Sequence, residues 1–241
     1  MKKIQEVIQE HSDQLSFYVS DTNGSVAEHN SDTVRETASC IKVFILIEFY
    51  NQVNKGAKSK NDKLLFSDSE KVDGSLGSGI LKSLDGGIEL TANNVAKLMI
   101  ISSDNIATNM MIDYLGIDNI NQTIKDLGFS NTKLLCKLDF SKICNIGSST
   151  AKEYGQVFQR LLKKDIINET ISNQALEVLK LCQGRAMINK GIPPADVGVY
   201  KNAPSKIKYI ASKSGGVSAE RDNIHVNVRN DVELSQQFMA I

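Results

Sequence analysis

TASCIKVFILIEFY, Thr37 to Tyr50, is apolar at almost every position, with Lys42 its only basic residue and Glu48 its only acidic one. It meets no glycine or proline before Asn51, and that unbroken length favours a helix over a buried strand. A helix of this composition has no polar stripe, so core must wrap it on nearly all sides. Ser39 and Lys42 then stand one turn apart on a shared face. A lysine entering such a helix must either snorkel outward or meet a specific partner. A serine hydroxyl beside a partly desolvated amine is a candidate nucleophile, because desolvation lowers the amine pKa and frees its lone pair. The plainer alternative stays open here: Ser39 caps a helix and Lys42 snorkels.

The remaining composition bounds what surrounds this helix. A length of 241 residues suits one large domain or two intimately packed lobes. Lys plus Arg equals Asp plus Glu, 28 against 28, so no overall field draws the chain to nucleic acid or an anionic membrane. No run of 18 apolar residues exists, and no membrane span is expected. The opening MKKIQEVIQEHSDQL has two lysines, but Glu6, Gln9, Glu10 and His11 interrupt any apolar signal core. The expectation is therefore a cytoplasmic protein, or an extracytoplasmic one whose leader has been removed. Cys40, Cys136, Cys144 and Cys182 follow no metal-ligand spacing and the three histidines are scattered, which argues against a zinc site. Cys136 and Cys144 flank a loop and could meet, but reduced thiols are expected of a chain without an export signal.

The pattern along the chain is strands, then helices, then strands. Residues 2–14 suit an amphipathic helix with Ile4, Val7 and Ile8 facing inward. Residues 15–30 suit a hairpin turning on Asn23-Gly24. Residues 55–90 read as surface loop. Thr91 caps a helix to about 101, and further helices are expected at about 104–115, 118–127, 150–162 and 171–183. Residues 129–148 are weakly patterned, and 191–205 form a Pro- and Gly-bearing connection. KIKYIASKSGG, RDNIHVNV and DVELSQQFMAI read as three closing strands. This order suggests an α+β fold with an antiparallel sheet from both chain ends and a helical lobe inserted between them. The sheet lobe would span about 1–53 and 185–241, and the helical lobe about 54–184.

Three short motifs appear in sequence: SCIK at 39–42, SDN at 103–105 and KSG at 213–215. Each is weak alone. In this order and spacing they resemble the penicillin-recognising serine hydrolases, the family of class A β-lactamases and penicillin-binding proteins. The likeness extends over about residues 15–240, with 89–116 resembling the helix pair around the SDN loop. It implies a five-stranded antiparallel sheet flanked by helices, with an all-helical lobe.

The resemblance also implies roles. Ser39 would be the acylated nucleophile, and Lys42 would take its proton directly or through water. The Ser39 and Gly216 N–H groups would hold the oxyanion, which a helix N-terminus favours. Ser103 would relay a proton to the leaving nitrogen. Asn105 would bind the substrate's amide side chain, and Asp104 would fix the loop through backbone N–H groups. Lys213 would sit on the edge strand and keep the site positive beside Ser103, so that it and Lys42 are two like charges near one hydroxyl. Ser214 would meet a substrate carboxylate, and Gly215 would let the strand approach closely. Arg221 would be a second carboxylate-binding cation, with Arg229 as the alternative.

One departure stands out. Class A enzymes carry a loop glutamate that activates the hydrolytic water, and LLCKLDFSKICNIGSST, 134–150, has none. Asp139 is its only carboxylate, and a shorter acid displaced by about 1 Å would cost roughly 10²-fold in rate. The expected function is an acyl-serine hydrolase acting on a β-lactam or acyl-D-alanyl-type amide, with slow deacylation and a monomer favoured. No metal or organic cofactor is implied. A D-alanyl carboxypeptidase-like hydrolase, or a sensor that is acylated and never turns over, are the alternatives.

Overall fold

The computed structural model describes residues 6, 8–21, 24, 26–71, 77–139, 144–183, 188, 207–221 and 224–237. The side chains of 208, 219–221, 224, 225 and 235–237 fall outside that description. The fold is α+β, with antiparallel strands from both chain ends, flanking helices and an inserted helical lobe.

At the N-terminal side, β1 (Phe17–Ser20) pairs antiparallel with β2 (Val26–His29). Gly24 in the turn takes φ 87°, a value open to glycine without strain; Asn23 lies outside the described residues. Of the expected first helix, residues 6 and 8–10 are helical, and Ile4 and Val7 lie outside the description.

β3 (Arg35–Glu36) leads into a 3-10 turn, Ala38–Ile41, that continues directly into α1, Lys42–Asn54. Every residue from Ile41 to Gln52 is buried, and each buried Ile, Leu or Phe contributes about 1.5–3 kcal/mol. Phe44 sits edge-on to Phe129, with ring centroids 5.6 Å apart. The helix's one acid is matched inside the core. Glu48, 3% exposed, accepts from Asn51 Nδ2 at 2.8 Å, Gln52 Nε2 at 2.7 Å and Thr123 Oγ1 at 2.5 Å. A buried carboxylate is tolerable only with such donors, and the Thr123 bond ties α1 to a second helix.

The helical lobe contains α2 (Ala92–Ile101), α3 (Asn105–Leu115), α4 (Ile117–Asp126), α5 (Ala151–Lys163) and α6 (Glu169–Lys180). Local capping chemistry sets several starts: Thr91, Asp104, Thr150 and Asn168 each accept a backbone N–H of the first turn. The last helix therefore begins at Glu169, two residues before its expected start.

Three strand expectations are corrected. Residues 55–90 are not all loop: β4 (Lys63–Phe66) pairs with β5 (Ile88–Thr91). The weakly patterned stretch contributes β6 (Lys133–Leu134) and β7 (Gly147–Ser149), which form a three-stranded sheet with β3. The closing segment has two strands, not three, because β9 runs unbroken from Ile224 to Gln237 against β8, Ile207–Arg221. Asn230-Asp231 resembles a turn in sequence, yet both residues pair in the ladder, with Gly215 and Ser214. Asn230 Nδ2 also donates to Glu36 O at 2.8 Å. Among the described residues the strands of the two chain ends thus form two hairpins, β1–β2 and β8–β9, four strands where the resemblance implies five. The 191–205 connection lies outside the described residues.

Candidate active site

The turn carrying Ser39 is strained and closely packed. Ala38, just before it, has φ 43°, a left-handed value that costs a non-glycine residue about 1–3 kcal/mol. A Cβ added to Gly215 would stand 2.7 Å from Ser39 N and 3.0 Å from both Cys40 N and Thr37 O. Only glycine lets β8 lie this close to the turn. Buried Cys40 adds a stitch, donating Sγ–H to Lys213 O at 3.3 Å, and burial pushes its thiol up to about 12.

Lys42 and Lys213 are both 0% exposed, and they converge on one hydroxyl. Lys42 Nζ donates to Ser103 Oγ at 3.1 Å, and Lys213 Nζ donates to the same oxygen at 3.0 Å. Lys42 also donates to Ser103 O at 2.7 Å and Asn105 Oδ1 at 2.8 Å. Lys213 also donates to Ser214 O at 2.6 Å. Burial, and then the charge of Lys213, hold Lys42 well below the usual lysine range; burial also lowers Lys213. Among the described residues no hydrogen bond joins Ser39 Oγ to Lys42 Nζ: that amine's bonds go to Ser103 and Asn105. A hydroxyl has two lone pairs, so Ser103 can accept from both amines and still have its own proton to give. Ser103 too is strained, with φ 55°.

Asp104 builds the rim beside it. Its carboxylate accepts from Ile80 N at 2.6 Å, Leu81 N at 2.9 Å and Ala107 N at 3.0 Å. Ser78 Oγ donates to Ser103 O at 2.7 Å, and Asn105 N donates to Ser78 O at 3.0 Å.

One feature escaped the sequence reading. Asn109, one turn beyond Asn105 on α3, clasps the backbone of Leu138: Leu138 N donates to its Oδ1 at 2.9 Å, and its Nδ2 donates to Leu138 O at 2.8 Å. The spacing of Asn105 and Asn109 on one helix face was the available signal. The loop residue pinned nearest Asn105 is thus Leu138, while half-buried Asp139 follows it. The outer cation has two sequence candidates, Arg221 and Arg229. Gly216 pairs with Arg229 across the β8–β9 ladder, and Arg229 Nη1 lies 3.3 Å from where a Gly216 Cβ would stand. Arg221 pairs with Ile224 at the far end of the hairpin, about 16 Å along the strand from Gly216 at ~3.3 Å per residue. The structure does not bring Arg221's backbone to the site, and its side chain lies outside the description.

The same loop corrects the thiol expectation. Cys136 and Cys144 form a disulfide, while Cys40 and Cys182 are buried thiols outside it. Alkylation after denaturation is accordingly expected to modify two cysteines without reductant and four with it. Four in both conditions, measured by intact mass, would show the pair to be open.

Over residues 1–234 the chain matches the family model described as the beta-lactamase enzyme family. No curated protein sequence matches it. Among solved structures, a beta-lactamase from Sphaerobacter thermophilus is 25% identical with a TM-score of 0.79, covering 97% of this chain and 82% of the other. PBP-A is 22% identical with a TM-score of 0.72, covering 97% and 86%. A leucine-to-glutamate variant of PBP-A, as an acyl-enzyme complex with penicillin G, has a TM-score of 0.71 at 22% identity, covering 96% and 84%. The chain, with its buried lysines meeting at Ser103 beneath the Ser39 turn, belongs to the beta-lactamase enzyme family.

Proposed function

We propose that the protein is an acyl-serine enzyme that opens a β-lactam or acyl-D-alanyl-type amide quickly and releases the acyl group slowly. The convergence of Lys42 and Lys213 on the Ser103 hydroxyl, beside the Ser39 turn, carries this reading. Ser39 Oγ attacks the carbonyl carbon and its proton passes to Lys42. Water is the path consistent with the absence of a direct bond between them, and unliganded geometry often tightens on binding. The tetrahedral oxyanion accepts from the Ser39 and Gly216 N–H groups. Ser103 gives its proton to the leaving nitrogen as the C–N bond breaks, and takes one back from Lys42. Lys213 and Ser214 draw a substrate carboxylate, with Arg229 as the outer cation in place of Arg221. Asn105, whose Oδ1 already accepts from Lys42, offers its Nδ2 to the acyl side chain.

Slow release follows from the loop. It carries no glutamate, and the residue clasped one turn from Asn105 is a leucine, which cannot activate water.

Mixing the protein with excess chromogenic β-lactam tests the reading. A burst of one ring opening per chain, followed by a slow steady rate, is expected. A burst followed by no further opening would make the protein an acylated sensor instead. Rapid steady turnover with no adduct in the intact mass would overturn slow release.

A further inference from the structure

Thr37 is the N-cap of the 3-10 turn that carries Ser39, yet its side chain caps none of the turn's N–H groups. A threonine in that place ordinarily turns its oxygen inward to accept one of them. Here the residue is 2% exposed, and its hydroxyl acts as a donor instead. The one proton is shared between Gly147 O on β7, at 3.0 Å, and Ala38 O, at 3.1 Å. The Thr37 N–H donates to the same Gly147 O at 2.8 Å. Only glycine lets β7 come this close, because a Cβ at Gly147 would stand 2.9 Å from Thr37 Oγ1 and 3.0 Å from Ile41 Cγ1. β7 is itself paired between β3 and β6, so the hydroxyl is braced on a fixed support.

Ala38 O matters because of what shares its peptide. Ala38 C=O and Ser39 N–H belong to one planar trans unit, in which the carbonyl and the N–H point in opposite directions. A donor that holds the carbonyl therefore sets the direction of the N–H at the other end. That N–H lies at the start of a helical turn, where N–H groups have no acceptor inside the turn and can serve a ligand. The turn also needs holding. Ala38 sits at φ 43°, a conformation that persists only where the surroundings over-determine it. Gly215 presses on the turn from the β8 side, and Thr37 grips it from the β7 side.

We propose that Thr37 is a positioning residue, whose hydroxyl, braced on Gly147 O, holds the Ala38–Ser39 peptide so that the Ser39 N–H points to where the oxyanion forms. The catalytic half rests on the acyl-serine reading; the hold on the peptide is visible in unreacted protein.

Thr37→Val removes the hydroxyl and keeps the branched shape, whereas Thr37→Ser keeps the hydroxyl. Labelling with 13C at alanine carbonyls and 15N at serine reports only the Ala38–Ser39 and Ala211–Ser212 peptides, and Ser39→Ala identifies the first. In unreacted protein the Ala38 carbonyl signal should move upfield in Thr37→Val, as a hydrogen bond is lost, and stay near its wild-type position in Thr37→Ser. Removing an oxyanion donor costs about 10²–10³-fold and misdirecting one costs part of that, so Thr37→Val should acylate about 10- to 10²-fold more slowly. Thr37→Ser should retain most of the rate. The infrared stretch of the adduct's ester carbonyl, which oxyanion donors lower, should rise in Thr37→Val and not in Thr37→Ser. Slower acylation in both variants, or in Thr37→Val with that stretch unmoved, would assign Thr37 a packing role and overturn the proposal. A full rate in folded Thr37→Val would overturn it too. If Thr37→Val does not fold, Thr37→Ala set against Thr37→Ser isolates the hydroxyl with the same expectations. Failure of the wild type to acylate, with the Ala38 signal moving as expected, would instead remove the acyl-serine reading and leave the hold on the peptide standing.

Discussion

Ser39→Ala abolishes covalent labelling by a fluorescent penicillin; that is the expected result, against one adduct per chain in the wild type. Ser39 is the hydroxyl-bearing residue of the turn against which Gly215 presses, and no neighbour can replace it from the same backbone position. Removing a nucleophile lowers an assisted reaction by several orders of magnitude, so partial loss would count against the assignment. An adduct mapped by peptide mass spectrometry to any other residue would sink it. Lys42→Arg is the companion variant. Arginine keeps the positive charge and cannot act as a base at any accessible pH, so acylation should fall nearly as far as in Lys42→Ala. The pH profile supplies the sign. Lys42 is held well below the usual lysine range by burial first and by Lys213 second, and it accepts a proton only when neutral. Acylation should therefore rise with pH through that depressed value and then level off. A profile unchanged by either substitution would remove Lys42 as the base.

The second large effect is a gain. Leu138→Glu is expected to shorten the lifetime of the benzylpenicillin adduct by about 10²–10⁴-fold, the usual worth of a positioned general base. Asn109 holds residue 138 by both its N–H and its C=O, and both bonds belong to the backbone, so the substitution leaves the clasp intact. Asn105, which accepts from Lys42, stands one helical turn, ~5.4 Å, from the clasping Asn109 along α3, so the clasp is one turn from the residue that meets the amine. Hydrolysis in the variant should also weaken in acid as the glutamate protonates, a signature that mere loosening of the loop would not give. An unchanged adduct lifetime in a folded variant would show that position 138 does not face the ester. Asp139→Asn belongs in the same assay. A tenfold longer adduct would transfer the water to Asp139, and an unchanged one would leave Asp139 a loop residue.

What could be read from the chain was what its neighbours in sequence decide. α1 announced itself because its surroundings are written into its own composition. Thr91 and Thr150 marked helix starts because a cap bonds to an N–H only three residues on. β4 and β5 were illegible because each has four residues and its partner lies more than twenty residues away. The same limit left Arg221 and Arg229 open as alternatives. Asn230-Asp231 carries turn chemistry, but the continuous β8 partner holds both residues in the ladder, which pairs Arg229 with Gly216 and leaves the Arg221 backbone at the far end of the strand. Ser39, Lys42, Ser103 and Lys213 were legible as motifs. Part of their spatial relation was legible too: two like charges near one hydroxyl were expected, and Lys42 and Lys213 meet at Ser103 Oγ, whereas among the described residues Lys42 makes no direct bond to the Ser39 hydroxyl. The Cys136–Cys144 pair depended on a loop path that local pattern does not encode.

α1 has one more implication. Ser39, the proposed nucleophile, stands at the head of a helix buried from Ile41 to Gln52 and anchored near its far end by the Glu48 hydrogen bonds, so it cannot be adjusted without disturbing the whole core. Amides of Val43 to Tyr50 should exchange with solvent only when the entire molecule opens, and the hydroxyl at its head inherits that rigidity. Selection or engineering for a new acyl donor is thereby confined to the periphery: the Ser78–Leu81 rim, the loop clasped at Leu138, and the protruding β8–β9 arm. The anvil is fixed, and only the jaws around it can be reshaped.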